Sequence, residues 1–167
     1  MFSENGELLG LEGVIMDISE TVNTEMALKE SEEKYRLLVE NQTDLIVKVD
    51  ISGHFIYVSR SYCQTFGFTE KELLGKAFMP LVHPDDKELT AREMEKLFAP
   101  PHRCYIEQRA MTAAGWRWLA WVDTAVLDSK GEVSEIIGVG RDITDRKHAE
   151  ESLRDREEYL RALVEAM

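Results

Sequence analysis

The pattern of apolar and polar residues changes period along the chain. "LIVKVD" (45–50) alternates, with Leu45, Val47 and Val49 on one side of an extended segment. "DISG" (50–53) supplies Asp50 and Gly53 for a tight turn, and "HFIYVSR" alternates again. The pair predicts a β-hairpin, with Phe55 and Tyr57 joining the face of Val47. Three longer alternating segments follow at 103–112, 116–127 and 132–143, separated by the hairpin-type turns "AAG" and "DSKG". One face of these strands carries Ile106, Gln108 and Ala110, then Leu119, Trp121 and Asp123, then Ile136, Gly138 and Gly140. Trp116, Trp118, Ile46 and Val58 fall on the other face.

Helical signals lie between the two groups of strands. "SYCQTFGF" brings Tyr62, Cys63 and Phe66 and stops near Gly67. "TEKELLG" carries a capping box, Thr69 with Glu72 three residues on, and ends at Gly75. "HPDDKELTAREMEKLFAPP" predicts one longer helix, with Pro84 in its first turn, Asp85 and Asp86 at its positive end, and Pro100 as the stop. The order ββ, helices, βββ gives an α+β fold, an antiparallel sheet with helices on one side.

The two ends of the chain repeat each other. At an offset of 125, residues 6–40 match residues 131–165 at 14 of 35 positions without a gap. Chance would give roughly two. The chain therefore reads as a piece of a tandem array. Residues 1–18 would hold the last strand of a preceding repeat, 19–42 a linker helix, 43–144 a whole domain and 145–167 the equivalent C-terminal helix. In that helix Ala149, Leu153, Arg156, Leu160, Leu163 and Met167 follow heptad a/d spacing; the earlier copy has Thr24, Leu28, Ser31, Tyr35, Leu38 and Gln42. Two readings stay open: an amphipathic helix lying on its own domain, or a parallel two-stranded coiled coil that makes a homodimer through Leu153, Leu160 and Leu163.

Charge narrows the partners. The net charge of −12 disfavours phosphate backbones and anionic lipid surfaces, so neither nucleic acid nor membrane is expected to be bound by this piece. Two cysteines, Cys63 and Cys104, make no disulfide scaffold and fit a reducing cytoplasm. Catalytic chemistry finds no constellation: His54, His83, His102 and His148 are scattered, no metal-ligand spacing occurs, and there is no Gly-rich phosphate loop. His83 is expected as a helix-start residue and Cys63 as a small apolar filler.

"SGHFIYVSRSYCQTFGFTEKELLGK", "LVHPDD" and "GWRWLAWVDTAVLDSKGEVSEIIGVGRDITDRK", in that order, resemble a PAS domain with its C-terminal PAC motif. The resemblance covers residues 33–146. It implies a five-stranded antiparallel sheet cupping a small pocket, and a sensory or relay role in bacterial sensor histidine kinases or cyclic-di-GMP enzymes. On that pattern the pocket is expected to use Val47, Phe55, Tyr57, Tyr62, Phe66, Ile106, Gln108, Leu119, Trp121, Asp123 and Gly140. Asp142, Ile143 and Thr144 are expected to pass a change into the last helix, with Thr144 as its N-cap. The partners implied are adjacent PAS and output domains and a small-molecule ligand. A filled, purely architectural spacer is the alternative.

No cofactor is expected. The light-sensing flavin branch carries Gly-x-Asn-Cys-Arg-Phe-Leu-Gln, where this chain has "GKAFMPLV", with Ala77 and Phe78 in place of the Asn and Cys. Gly140 stands where that branch has a flavin-facing Gln. Haem-binding members place a ligating His on or just after the long helix; residues 85–98 contain none, which leaves Met94 and His102 as the haem candidates. Noncovalent flavin and haem are the minor alternatives.

Overall fold

The computed structural model describes residues 21–34 and 43–167. The chain divides into two units, Met1–Asn41 and Gln42–Met167. In the first unit residues 21–34 form a helix, α1, whose residues are all exposed. The expected strand at 6–18, and Tyr35, Leu38 and Gln42 of the earlier heptads, lie outside the described residues.

The second unit runs β1 (Leu45–Asp50), β2 (Phe55–Val58), α2 (Arg60–Phe66), α3 (Glu70–Leu73), α4 (Lys87–Glu95), β3 (Arg103–Thr112), β4 (Gly115–Leu127), β5 (Val133–Asp142) and α5 (Thr144–Glu165). Short 3-10 turns at Met79–Leu81, Pro84–Asp86 and Lys96–Phe98 flank α4. The strands form one antiparallel sheet in the order β2-β1-β5-β4-β3. This is the α+β arrangement expected from the order of elements.

Local chemistry explains the turns and stops. The Asp50 carboxylate accepts the Ser52 and His54 N–H groups at 2.9 Å each, which closes the β1–β2 turn around Gly53. Gly67 ends α2 in the left-handed region, φ +75°, and its N–H returns to the Cys63 carbonyl. Thr69 and Glu72 form the expected capping box.

One face of the sheet is buried along its whole width. It carries Leu45, Val47 and Val49 of β1, Ile106, Gln108 and Ala110 of β3, Leu119, Trp121 and Asp123 of β4, and Ile136 of β5. Tyr62, Phe66, Leu73 and Leu97 close over that face.

Three expectations require correction. A bulge between Lys48 and Val49 shifts the register of β2. Strict alternation fails there: Phe55 and Val58 point inward, while Tyr57 is 37% exposed. Tyr57 is thus not a pocket residue, and Val58 belongs to the core. The helix expected at 84–98 is continuous, but its first and last turns, Pro84–Asp86 and Lys96–Phe98, are 3-10 rather than α. The Asp86 carboxylate, in the first of them, accepts the Arg109 backbone N–H at 2.8 Å and its guanidinium Nε–H and Nη2–H at 3.0 and 2.7 Å. Thr144 is also not a side-chain cap: it is the first residue of α5, and its hydroxyl accepts the Trp118 N–H at 2.9 Å.

Candidate functional site

A cavity of about 40 Å³ lies between the buried sheet face and the helical layer. That is room for a few waters or one small molecule. β1 contributes Val47 and Val49, β2 Phe55, α2 Tyr62 and Phe66, β3 Ile106, Gln108 and Ala110, β4 Trp121 and Asp123, and β5 Ile136 and Gly138. Of the expected pocket residues, Val47, Phe55, Tyr62, Phe66, Ile106, Gln108, Trp121 and Asp123 come together here. Leu119 is fully buried but packs in the core away from the cavity. Gly140 is also off the cavity: a Cβ there would stand 2.7 Å from three Trp121 ring atoms, so the glycine serves to seat the indole.

The helical side of the cavity, Phe78, Leu81, Val82, Thr90 and Met94, is not among the expected pocket residues, Met94 being singled out only as a haem candidate. The apolar string "FMPLV" was its available signal, but 3-10 turns have no long periodicity to phase it.

The cavity is aromatic with three polar groups. Tyr62 stacks on Phe66 with ring centroids 4.2 Å apart, meets Phe55 edge-on at 5.4 Å and lies 6.2 Å from Trp121. Burial pushes the Tyr62 phenol well up from its usual range. Gln108 is buried, and its amide meets the Thr90 hydroxyl, which also donates to the Asp86 carbonyl at 2.8 Å. A threonine hydroxyl has one proton. That proton lies between the Asp86 carbonyl and the Gln108 amide oxygen, both of which face the hydroxyl.

Asp123 is buried, and its carboxyl has a single weak partner, the Cys104 thiol at 3.9 Å. Gly138 makes room for it, since a Cβ there would lie 2.5 Å from Asp123 Oδ1. Burial raises the Asp123 pKa to about 7, against a small opposing pull from the thiol. Burial, and then the charge of Asp123, push the Cys104 thiol up to about 12. Trp121 Nε1–H is buried without a hydrogen-bond partner. Cys63 is half-buried against the core, with its thiol pKa also raised, first by burial.

With the side chains as they stand, the space is far below the several hundred Å³ of a typical cofactor pocket. No histidine lines it; the His102 ring lies against the Leu97 carbonyl, Nδ1 to oxygen 2.9 Å. Among the described residues no cluster of His, Cys, Asp and Glu could hold a metal ion.

α5 begins one residue after β5 and is fastened to the sheet at several points. Besides the Thr144–Trp118 bond, the Ile143 N–H donates to the Trp118 carbonyl at 2.9 Å, and Asp142 Oδ1 accepts the Thr144 N–H at 2.8 Å. Glu107 of β3 binds Lys147 Nζ, Arg146 Nη2 and the Tyr105 hydroxyl, each at 2.6 Å. These partners, Lys147 foremost, hold the Glu107 carboxyl down at about 2. The Arg109 guanidinium, 5.3 Å from the ring centre, and the Lys147 ammonium, at 4.9 Å, both lie over the Trp118 ring. Beyond its first turn α5 is unpacked, with Leu153, Leu160 and Leu163 exposed at 60%, 53% and 46%.

Residues 55–140 match the family described as PAS fold. The chain belongs to the PAS family. It is 29% identical over 146 residues to the two-component sensor PprA of Pseudomonas aeruginosa, covering 84% of this chain and 15% of that protein. It is 30% identical over 147 residues to the methyl sulfide methyltransferase-associated sensor of Methanosarcina acetivorans, covering 87% of this chain and 14% of that protein. Among solved structures it is similar to a sensory box histidine kinase/response regulator from Burkholderia thailandensis, at 26% identity and a TM-score of 0.63, covering 77% of this chain and 98% of that one. This PAS chain thus spans about a seventh of the two sensors it matches. No helix of the described residues is long and apolar enough to cross a membrane.

Proposed function

We propose that this chain is the PAS input or relay module of a larger sensor protein, in which the state of the cavity is passed to the helix that follows. One observation carries the reading. Gln108 and Glu107 are neighbours in β3; one faces the cavity, and the other holds Lys147 and Arg146 of α5. A strand cannot shift its inward residue without moving its outward one. The direct β5–α5 junction adds a second rigid connection. The relatives support the same reading, since both are sensors by name. The domain boundaries 43–144 and 145–167, and an output domain such as a histidine kinase or diguanylate cyclase beyond them, are part of this proposal. No catalytic step is assigned to the chain itself.

The test is amide exchange in the first turn of α5. Gln108→Leu removes the amide while keeping a side chain of comparable volume, and it leaves Thr90 its bond to the Asp86 carbonyl. It is expected to alter exchange several-fold at Lys147 and His148 while leaving α3 unchanged. Identical exchange throughout α5 would favour a spacer with a passive core.

The proposed homodimer rests on the exposed leucine seam of α5 and its heptad spacing. Sedimentation should give a dimer for the full chain, and a weakened one for Leu153→Glu/Leu160→Glu. A wild type that remains monomeric at tens of micromolar, roughly the range of modest affinities, refutes the coiled-coil reading.

A further inference from the structure

The cavity holds an acidic group with no counterion. Asp123 faces the space, its one close partner is a thiol at 3.9 Å, and no cationic side chain lines the wall. Around it stand aromatic faces, Tyr62, Phe66, Phe55 and Trp121, of the kind that stabilise organic cations. Gln108 adds a buried amide, whose oxygen also faces the Thr90 hydroxyl. The wall is therefore rich in acceptors, with Trp121 Nε1–H as an unpartnered donor. A space of about 40 Å³ suits a small occupant of a few non-hydrogen atoms.

We propose that the cavity recognises a small primary ammonium compound, its nitrogen on the Asp123 carboxylate and its carbons against Tyr62, Phe66 and Trp121. The inference rests on the input-module reading and names the ligand class for it. The ammonium supplies the missing counterion and donates to Asp123. A hydroxyl on the ligand, or a water kept beside it, accepts from Trp121 Nε1–H. The small space favours a small cation, and Asp123 disfavours an anion.

Binding is expected to depend on pH through Asp123. The groups facing it are known. β3 presents the Cys104 thiol, whose pKa is pushed up to about 12. α2 presents the Tyr62 phenol, raised further by burial. Glu93 and Lys96 sit behind Cys104 and are paired with each other at 2.6 Å. β1 and β5 contribute Val47, Val49, Ile136 and Gly138, which do not titrate. An alkylammonium stays protonated across this range, as lysine does.

The experiment uses the full chain with ethanolamine and with ethylene glycol, a neutral probe of the same size. The readouts are the Trp121 indole N–H resonance and amide exchange in α5. Ethanolamine should shift the indole signal and bind about tenfold more tightly at pH 8 than at pH 6, as Asp123 passes from about one-tenth to about nine-tenths ionised. Asp123→Asn should lose that preference while still folding, and the pH series on the wild type gives the answer independently of the variant. If ethylene glycol binds as well as ethanolamine, with no pH dependence, the ammonium assignment is overturned while the input-module reading survives. If neither probe perturbs Trp121 or α5, both are overturned.

Discussion

Leu119→Ala is expected to destabilise the PAS domain by ~3 kcal/mol, a drop of about 10 °C in melting temperature. Leu119 is fully buried and stands off the cavity, so its neighbours are packed side chains on every side. Truncation would open a new void in a dense core, with a cost from lost transfer energy and a cost from lost contacts. Val49→Ala is the informative comparison. Val49 already faces empty space, so its truncation enlarges an existing cavity and removes fewer contacts. It should cost about 1 kcal/mol, near the lower end for buried aliphatics. Urea melts with unchanged slopes would report the two costs. Equal costs would place Leu119 on the cavity wall after all.

That contrast also shows what could be read from residues alone. Alternation in β1, β3, β4 and β5 placed Val47, Gln108, Trp121 and Asp123 on the right face, because long paired strands hold a strict period of two. It could not say which inward residues meet empty space and which meet other side chains. Leu119 and Gly140 share the face of Asp123 and are not in the cavity wall. Tyr57 failed for a different reason: one bulge in a four-residue strand reverses the faces beyond it, and nothing in "HFIYVSR" announces a bulge. Asp86 is similar. In the sequence it is a helix-start acid; in the structure it serves Arg109, 23 residues away. Asp86 keeps its place in the first helical turn, and the pairing with Arg109 is added to it; only the fold, which brings β3 alongside, could reveal that partner. Thr144 likewise gives its hydroxyl to Trp118 on β4 rather than to its own helix.

Asp123→Asn is expected to stabilise the protein at pH 8 and to leave it little changed at pH 4. The Asp123 pKa rises from 3.8 to about 7 on folding, so the folded state holds a proton that the unfolded chain has released across that window. The contribution of Asp123 is therefore fully favourable below about 4 and is lost as pH rises through about 7. The whole displacement corresponds to ~4 kcal/mol at most. Asparagine keeps the shape and a hydrogen-bonding group but cannot acquire the buried charge. Asp86 and Glu107 have lowered pKa values and the opposite slope, but they act below the range in question. Stability measured every half pH unit from 4 to 8 should show the wild type falling relative to the variant, most steeply between about 5 and 7. Parallel curves would mean that Asp123 stays charged and partnered in the folded state. In the expected outcome the protein carries a built-in penalty for an ionised Asp123, and a cation that enters the cavity relieves it.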